Sequence, residues 1–315
     1  MNYKHLFGPV PSRRIGVSLG IDLVPYKTCT YDCVYCECGK TTNLTIKRKE
    51  YVPTNEILQE LEDFLKKEPD LDYITFSGSG EPTLHIGIDR IVDFLKSKYA
   101  QYKIALLTNG ALLYDKNVQN AIMNVDLIMP SFDAYSTSII TKINQPANEF
   151  DAEQYRKGFK EFFDRYGGNV NVEVFIVRGI NDNKEEIKKI DNFLSTINID
   201  MIQLNTLDRP GTENWVESVS REELNKIKRY FTHNNVKIIA KFTSRKKNKA
   251  YDSDIKSRIL ETISRRPCTA HDLATVLGLH INEINKYLDV LAAENEINTK
   301  KLERGTFYFT KNKKD

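Results

Sequence analysis

The chain has 315 residues, 40% of them apolar and 28% charged, an ordinary globular mix that suits one large domain plus something small. Lys and Arg number 46 against 43 Asp and Glu, a net charge of +3, which excludes a strongly basic nucleic-acid coat protein but leaves room for a local basic patch. No apolar run approaches the ~20 residues that span a bilayer, and the opening "MNYKHLFGPVPSRR" lacks a signal peptide's apolar h-region; a cytoplasmic chain with no membrane partner is expected.

Apolar, β-branched runs predict strands at 15–21, 72–77, 103–108, 126–131, 170–177 and 200–205. Helix-periodic stretches lie between and after them at 55–68, 86–99, 116–123, 151–165, 183–196 and 221–233. The clearest is "NEILQELEDFLKKE", where Ile57, Leu58, Leu61, Phe64 and Leu65 form one stripe, with Thr54 before it as the expected cap. "VKIIAKF" (236–242) is a candidate extra strand. Six strand–helix units in a row predict an α/β fold, a parallel sheet with helices outside. A partly closed barrel and a doubly wound open sheet both fit that alternation.

Composition changes after residue 242. Residues 1–242 are expected to form the first domain, 243–253 a basic linker, and 254–315 a second domain. In the last, "DIKSRILETISRR", "TAHDLATVLGL" ending at Gly278, and "HINEINKYLDVLAAENEI" predict three helices. "NTKKLERGTFYFTK" predicts a hairpin turning around Gly305. This order resembles a winged-helix domain.

Four of the five cysteines fall within ten residues, in "YKTCTYDCVYCECGKTT". Cys29, Cys33 and Cys36 are spaced C-x3-C-x2-C. In a reducing compartment such a group reads as metal or redox ligands. Zinc sites usually draw on two separated cysteine pairs, and no second pair exists here. Three thiols on one loop suit three corners of an iron–sulfur cube, although spacing alone leaves zinc open. The loop follows the first predicted strand, at the strand end where parallel barrels place their chemistry. "SGSGEPT", "TNG" and "SFDA" follow the next three strands. Glu173 lies in the fifth, Arg178 at its end, and Asn205 closes the sixth. Asn109 of "TNG" reads as a turn residue.

With Tyr35 before the third cysteine and "SGSGEPTL" after the second strand, residues 10–242 resemble the radical S-adenosylmethionine enzymes. The opening "FGPVPSRRIGVSLGIDLVPYKTCTYDCVYC" is similar to a narrower group, the wyosine-base-forming proteins and their relatives. The resemblance implies a partial (β/α)6 TIM-like barrel. It implies a [4Fe–4S] cluster on Cys29, Cys33 and Cys36, S-adenosylmethionine as second cofactor, and an external one-electron reductant. It places Tyr35 near the adenine and Gly78, Gly80 and Glu81 at the methionine amino end. Ser131, Asp133, Glu173 and Arg178 become candidates for the ribose. A Gly80→Val change is then expected to weaken cofactor binding and spare the cluster. The chain lacks the further cysteines with which the wyosine enzymes build a second cluster. Cys38 departs from the pattern, as a spare thiol, a substrate-side group or a residue without a role.

The expected substrate is a macromolecule, RNA or protein, the protein alternative including activation of a partner enzyme by a glycyl radical. A reading of another class, a redox-sensing DNA-binding regulator, would leave the glycine loop unexplained. The expected recognition helix, His280 to Glu296, carries Lys286 against Glu283, Asp289, Glu294 and Glu296, which suits a phosphate-lined groove badly. Basic residues gather in Lys300, Lys301, Arg304, Lys311, Lys313 and Lys314. None of the five histidines is assigned a role.

Overall fold

The computed structural model describes residues 3–12, 14–207, 211–239, 253–265, 267–302 and 305–311. Chain order begins with β1 (Leu6–Ser12), β2 (Gly16–Ile21) and the two-residue strands β3 (Thr28–Cys29) and β4 (Asn43–Leu44). Helix and strand then alternate: α1 (Thr54–Leu65), β5 (Tyr73–Phe76), α2 (Ile88–Lys98), β6 (Lys103–Thr108), α3 (Lys116–Ile122), β7 (Leu127–Pro130). They continue as α4 (Thr137–Ile143), α5 (Ala152–Phe163), β8 (Asn169–Ile176), α6 (Lys184–Leu194), β9 (Met201–Thr206), α7 (Arg221–Lys228) and β10 (Val236–Ile238). The fold is α/β with a mostly parallel sheet of order β1-β2-β5-β6-β7-β8-β9-β10, in which β1 alone runs antiparallel to its neighbour.

The six predicted strands and six predicted helices form. Helix α7 stops at Lys228 rather than 233, because Arg229 and Tyr230 turn back onto the carbonyls three residues earlier at 3.1 and 2.9 Å. Thr54 is the first helical residue and not the cap. Pro53 holds the cap position, and both the backbone N–H and the hydroxyl of Thr54 donate to Glu50. Strand β1 was hidden by "LFGPVPS", whose glycine and prolines speak against a strand interior. It survives at the sheet's edge, with a register shift between Phe7 and Val10.

Alternate residues serve opposite faces of the sheet. Ile104 and Leu106 join the main core under the helices with Ile57, Leu61, Ile91, Leu95 and Phe159. Ala105 and Leu107 face a smaller group with Ile15, Leu127 and Met129. Glu173 and Asn205, flanked by core residues Val172, Val174 and Leu204, lie on that second face. Because the strands run parallel, their C-terminal ends align: Ile21 pairs with Phe76, Thr108 with Pro130 and Ile176 with Thr206. The loops beyond these ends meet at one edge.

After the main body come α8 (Ser253–Arg265), β11 (Cys268–Thr269), α9 (Ala270–Leu277), α10 (Ile281–Ala293), β12 (Ile297–Leu302) and β13 (Gly305–Thr310). The last strands form a sheet β11-β13-β12. They enclose a separate core of Ile259, Ile263, Leu273, Ile284, Leu288 and Leu291 among others. Gly278 ends α9 in the left-handed conformation, φ 66°. The expected linker, apart from Ser253, lies outside the described residues, as do Arg304, Lys313 and Lys314. Among the described residues no helix is long and apolar enough to cross a membrane.

Candidate cofactor site

The cysteine loop begins where β2 ends, and backbone bonds tie it to the glycine loop. Lys27 N–H donates to Ser79 O at 3.0 Å, and Glu81 N–H donates to Thr28 O at 3.1 Å. A Cβ on Gly80 would stand 2.0 Å from that Thr28 oxygen, and one on Gly78 would stand 2.2 Å from the Asp22 carboxylate. Glycine is therefore required there by the packing of one loop on the other. On the opposite side, Asp32 and Val34 donate to Asn144 O and Ile143 O at the end of α4. A Cβ on Gly211 would meet the Tyr35 backbone at 2.9 Å.

Cys29, Cys33 and Cys36 are half-buried, and all five cysteines are free. Each of the three receives an N–H donor from a different segment. Asn109 Nδ2 lies 3.5 Å from Cys29 Sγ, Asn144 Nδ2 3.6 Å from Cys33 Sγ, and Lys27 Nζ 3.0 Å from Cys36 Sγ. Asn109 is also a turn residue, accepting Ala111 N–H at 3.0 Å. Burial pushes the Cys29 thiol up to about 12 and raises that of Cys33. A bond with Cys38, and then Lys27, draws Cys36 down to about 6. Among the described residues no three His, Cys, Asp or Glu side chains are grouped to hold a single metal ion. Three thiols spread along one loop, each with its own N–H donor, fit a larger anionic group with separate attachment points.

Two carboxylates brace these loops. Glu81 is 2% exposed. It accepts from Thr83 N–H, Thr83 Oγ1, Thr108 Oγ1 and Asn109 N–H at 2.6–3.1 Å. Burial raises its pKa, and those donors oppose the shift. Asp133 accepts from Tyr35 Oη, Asn144 Nδ2 and Phe175 N–H at 2.5, 2.7 and 2.9 Å, while burial lifts it to about 6. The Tyr35 ring stacks on Phe175 at 3.8 Å. Asp133 thus links Tyr35 to Asn144 and so to Cys33.

The remaining expected residues divide. Glu173 pairs with Arg14 and accepts from Asn205 Nδ2 at 2.7 Å. Ser131 bridges to Glu173 through the backbone. Arg178 is exposed and does not join the group; its guanidinium is bidentate on Glu223 at 3.0 and 2.8 Å, tying β8 to α7. Lys27, Asn144, Arg14 and Asp22 were not singled out in the sequence. Asp22 accepts from Ser79 N–H and Oγ at 3.2 and 2.9 Å and contacts His280 Nε2 at 2.9 Å. Nothing in the sequence signals the His280 contact, whose partner stands 258 residues away. The same imidazole stacks on Phe7 at 4.4 Å, Cys38 Sγ donates to Asn282 Oδ1 at 3.6 Å, and Lys301 Nζ donates to Gly211 O at 3.0 Å. The C-terminal module therefore rests its α10 N-terminus on the cysteine side of the sheet edge. A surface cleft of about 670 Å³ beside α7, lined by Lys226, Arg229, Phe231 and His233, contains none of these residues.

A family model described as the radical SAM superfamily matches residues 23–194, more than half of the chain. A UPF0026 protein of Helicobacter pylori (strain J99) is 31% identical over 309 residues, with 98% of each chain covered. A protein of Brachyspira hyodysenteriae named GTPase Obg is 33% identical over 295 residues; these span 93% of this chain and 43% of that protein. Among solved structures, a radical SAM methyltransferase from Sphaerobacter thermophilus aligns with a TM-score of 0.56 at 15% identity, covering 72% of this chain and 66% of its own. Streptococcus suis SuiB bound to S-adenosylmethionine aligns with a TM-score of 0.53 at 14% identity, covering 71% and 50%. Radical SAM neighbours bind a [4Fe–4S] cluster and S-adenosylmethionine. The matched span begins one residue after Asp22 and takes in the cysteine loop, the glycine loop and Asp133 alike, so this chain belongs to the radical SAM superfamily and to its UPF0026 relatives.

Proposed function

We propose that this chain is a radical SAM enzyme that holds one [4Fe–4S] cluster on Cys29, Cys33 and Cys36 and acts on a macromolecular substrate, RNA first. One observation carries the reading. Three half-buried thiols, each with its own N–H donor, lie on the loop that the Gly78–Glu81 segment grips. Bound together, the cluster and S-adenosylmethionine supply a 5′-deoxyadenosyl radical for hydrogen abstraction, fed by an external one-electron donor. The chain's own groups bind and orient. Gly78 and Gly80 keep the loop close to the cysteines, and Glu81, already filled by four donors, braces it from behind. Tyr35, Asp133, Ser131 and Glu173 are the groups assigned to the adenosine in this reading. Arg178, engaged by Glu223, acts as a strut.

In the same reading the strands form a partial barrel over residues 1–242 and the C-terminal module is a winged helix. The opening segment resembles the wyosine-base-forming proteins, but the chain lacks the cysteines of their second cluster, which speaks against wyosine formation itself. The module's position favours a substrate-side role. His280 and Asn282, at the helix end that would enter a DNA groove, are engaged with Asp22 and Cys38. This speaks against the duplex-DNA regulator. Lys300, exposed on β12, remains as a basic residue for an RNA backbone, while Lys301 is engaged with Gly211. A cytoplasmic location follows from the need for reduced thiols.

Anaerobic reconstitution tests the proposal. The protein is expected to take up about four irons and four sulfides and, with a strong reductant, to release 5′-deoxyadenosine. Cys29→Ala, Cys33→Ala or Cys36→Ala abolishes both, and Cys38→Ala does not. Product analysis against total tRNA and total cell protein then separates the two substrate classes. Stoichiometric zinc without sulfide in oxygen-free protein would sink the reading.

A further inference from the structure

Lys27 is a charged group at the cysteines whose presence the cysteine spacing and the glycine loop leave unexplained. It is 2% exposed, and its ammonium lies 3.0 Å from Cys36 Sγ. Its backbone is fixed on both sides. The N–H donates to Ser79 O at 3.0 Å, and the carbonyl accepts from Thr42 and Asn43 N–H, each at 3.1 Å. Its φ is +55°, a left-handed conformation that a lysine rarely adopts. Such a conformation persists where the surroundings over-determine it. A buried ammonium also needs an anionic partner, since an unpaired buried charge is costly. Among the described residues, the donors to Cys29 and Cys33 are the neutral amides of Asn109 and Asn144. The positive charge is thus placed at one corner of the site.

Resting on the cluster assigned above, we infer that Lys27 raises the reduction potential of that cluster through a charged N–H···S bond to Cys36. Reduction brings one electron from an external low-potential donor and no proton. It adds one negative charge to a group that three thiolates already make anionic. A fixed cation beside one of those thiolates stabilises the reduced form more than the oxidised one. Cluster potentials respond to net charge and to hydrogen bonds at sulfur. A buried charge is screened little by salt, so the effect persists at high ionic strength. Lys27 acts through Cys36 and is in that sense a positioning residue for charge; the chemistry remains with the cofactor.

The experiment uses the full-length protein, reconstituted without oxygen, as wild type, Lys27→Met, Lys27→Gln and Lys27→Arg. Iron and sulfide are counted first, and the midpoint potential is then followed by electron paramagnetic resonance during a redox titration at low and at high salt. The two neutral variants are expected to shift together to more negative potential, with Lys27→Arg staying near wild type at both salt concentrations. Loss of the cluster from the neutral variants alone, with Lys27→Arg keeping it, overturns the inference, because Lys27 would then hold the cluster rather than set its potential. Full iron content with an unshifted potential in Lys27→Met and Lys27→Gln overturns the inference. So does loss of the cluster in all three variants, which would assign Lys27 to packing. A wild-type protein that assembles no cluster would instead remove the cofactor reading beneath it.

Discussion

The loops around the cysteines and the C-terminal module that leans on them are held by different means. In the loops, Glu81 and Asp133 are buried carboxylates that take four and three donors from the chain itself. The module reaches the same loops through isolated contacts of half-exposed groups: His280 on Asp22 and Phe7, Asn282 on Cys38, and Lys301 on Gly211. Around Glu81 and Asp133 the bonds run from 2.5 to 3.1 Å, and removing one acceptor strands several donors at once. At the module each polar contact is a single bond, and each side keeps its own core. The site is therefore expected to stand without the module, while the module's seat depends on a few side chains.

The largest test of this contrast is Gly80→Val. The added Cβ would sit 2.0 Å from a backbone oxygen and 2.6 Å from a Val24 methyl. The oxygen belongs to Thr28, the residue before Cys29, so the cysteine loop itself must move. The sequence led us to expect weakened cofactor binding with the cluster spared. The packing instead predicts that iron loading falls as well, as iron and sulfide analysis would show. Wild-type iron content in this variant would restore the earlier expectation.

Next comes Glu81→Ala. Four buried donors lose their acceptor, and the iron-free protein is expected to lose about 3–4 kcal/mol of stability, since each orphaned buried group costs roughly 1–3 kcal/mol and water recovers part of it. Urea unfolding under nitrogen measures this. A loss below about 1 kcal/mol would show that the network does not hold the loop.

Asp133→Asn probes the second carboxylate through pH. Burial raises the folded-state value to about 6, above the ordinary aspartate value near 4. The folded state therefore binds the proton more tightly. That stability is fully present below pH ~4 and is lost as pH rises through ~6, an effect on the order of 2–3 kcal/mol. The iron-free wild type should show this slope and Asp133→Asn should lack it. Equal slopes between pH 4 and 7 would mean that Asp133 titrates normally.

The smallest effect belongs to His280→Ala. The change removes the bond to Asp22 and the cap that accepts Asn282 N–H at 3.2 Å, each worth about 1 kcal/mol. Amide hydrogen exchange at the N-terminus of α10 should speed up, with iron content unchanged. Unaltered exchange there would mean that His280 does not hold the module.

Much of the fold was legible because the signals were local. Strand β6 begins at Lys103 and ends at Thr108 as expected, since "KIALLT" lies between clear helices. Strand β1 was not, because its pairing with β2 overrides the glycine and prolines that argue against it. The same division runs through the site. Cys29, Cys33 and Cys36 stand out by their spacing and Gly78 and Gly80 by their motif, but that these glycines let one loop pack on the other shows only in the fold. Asn109 is the turn residue that "TNG" predicts, but its amide also faces Cys29. Arg178 ends a strand beside the site, as the sequence suggested, yet its guanidinium turns to Glu223, whose place depends on how α7 packs.

By itself the sequence determined the alternation of strand and helix, the three thiols on one loop, and the glycines that follow the second predicted strand. Each is settled within a dozen residues, where period, spacing and the lack of a Cβ act directly. Only the tertiary structure decided which groups face the thiols. Lys27, Asn109 and Asn144 come from three segments, Arg14 crosses to Glu173, and His280 reaches Asp22. Those meetings depend on the register of parallel strands and on where each loop leaves the sheet, and a hydrogen bond, with its reach of about 3 Å, exists only once that register is set.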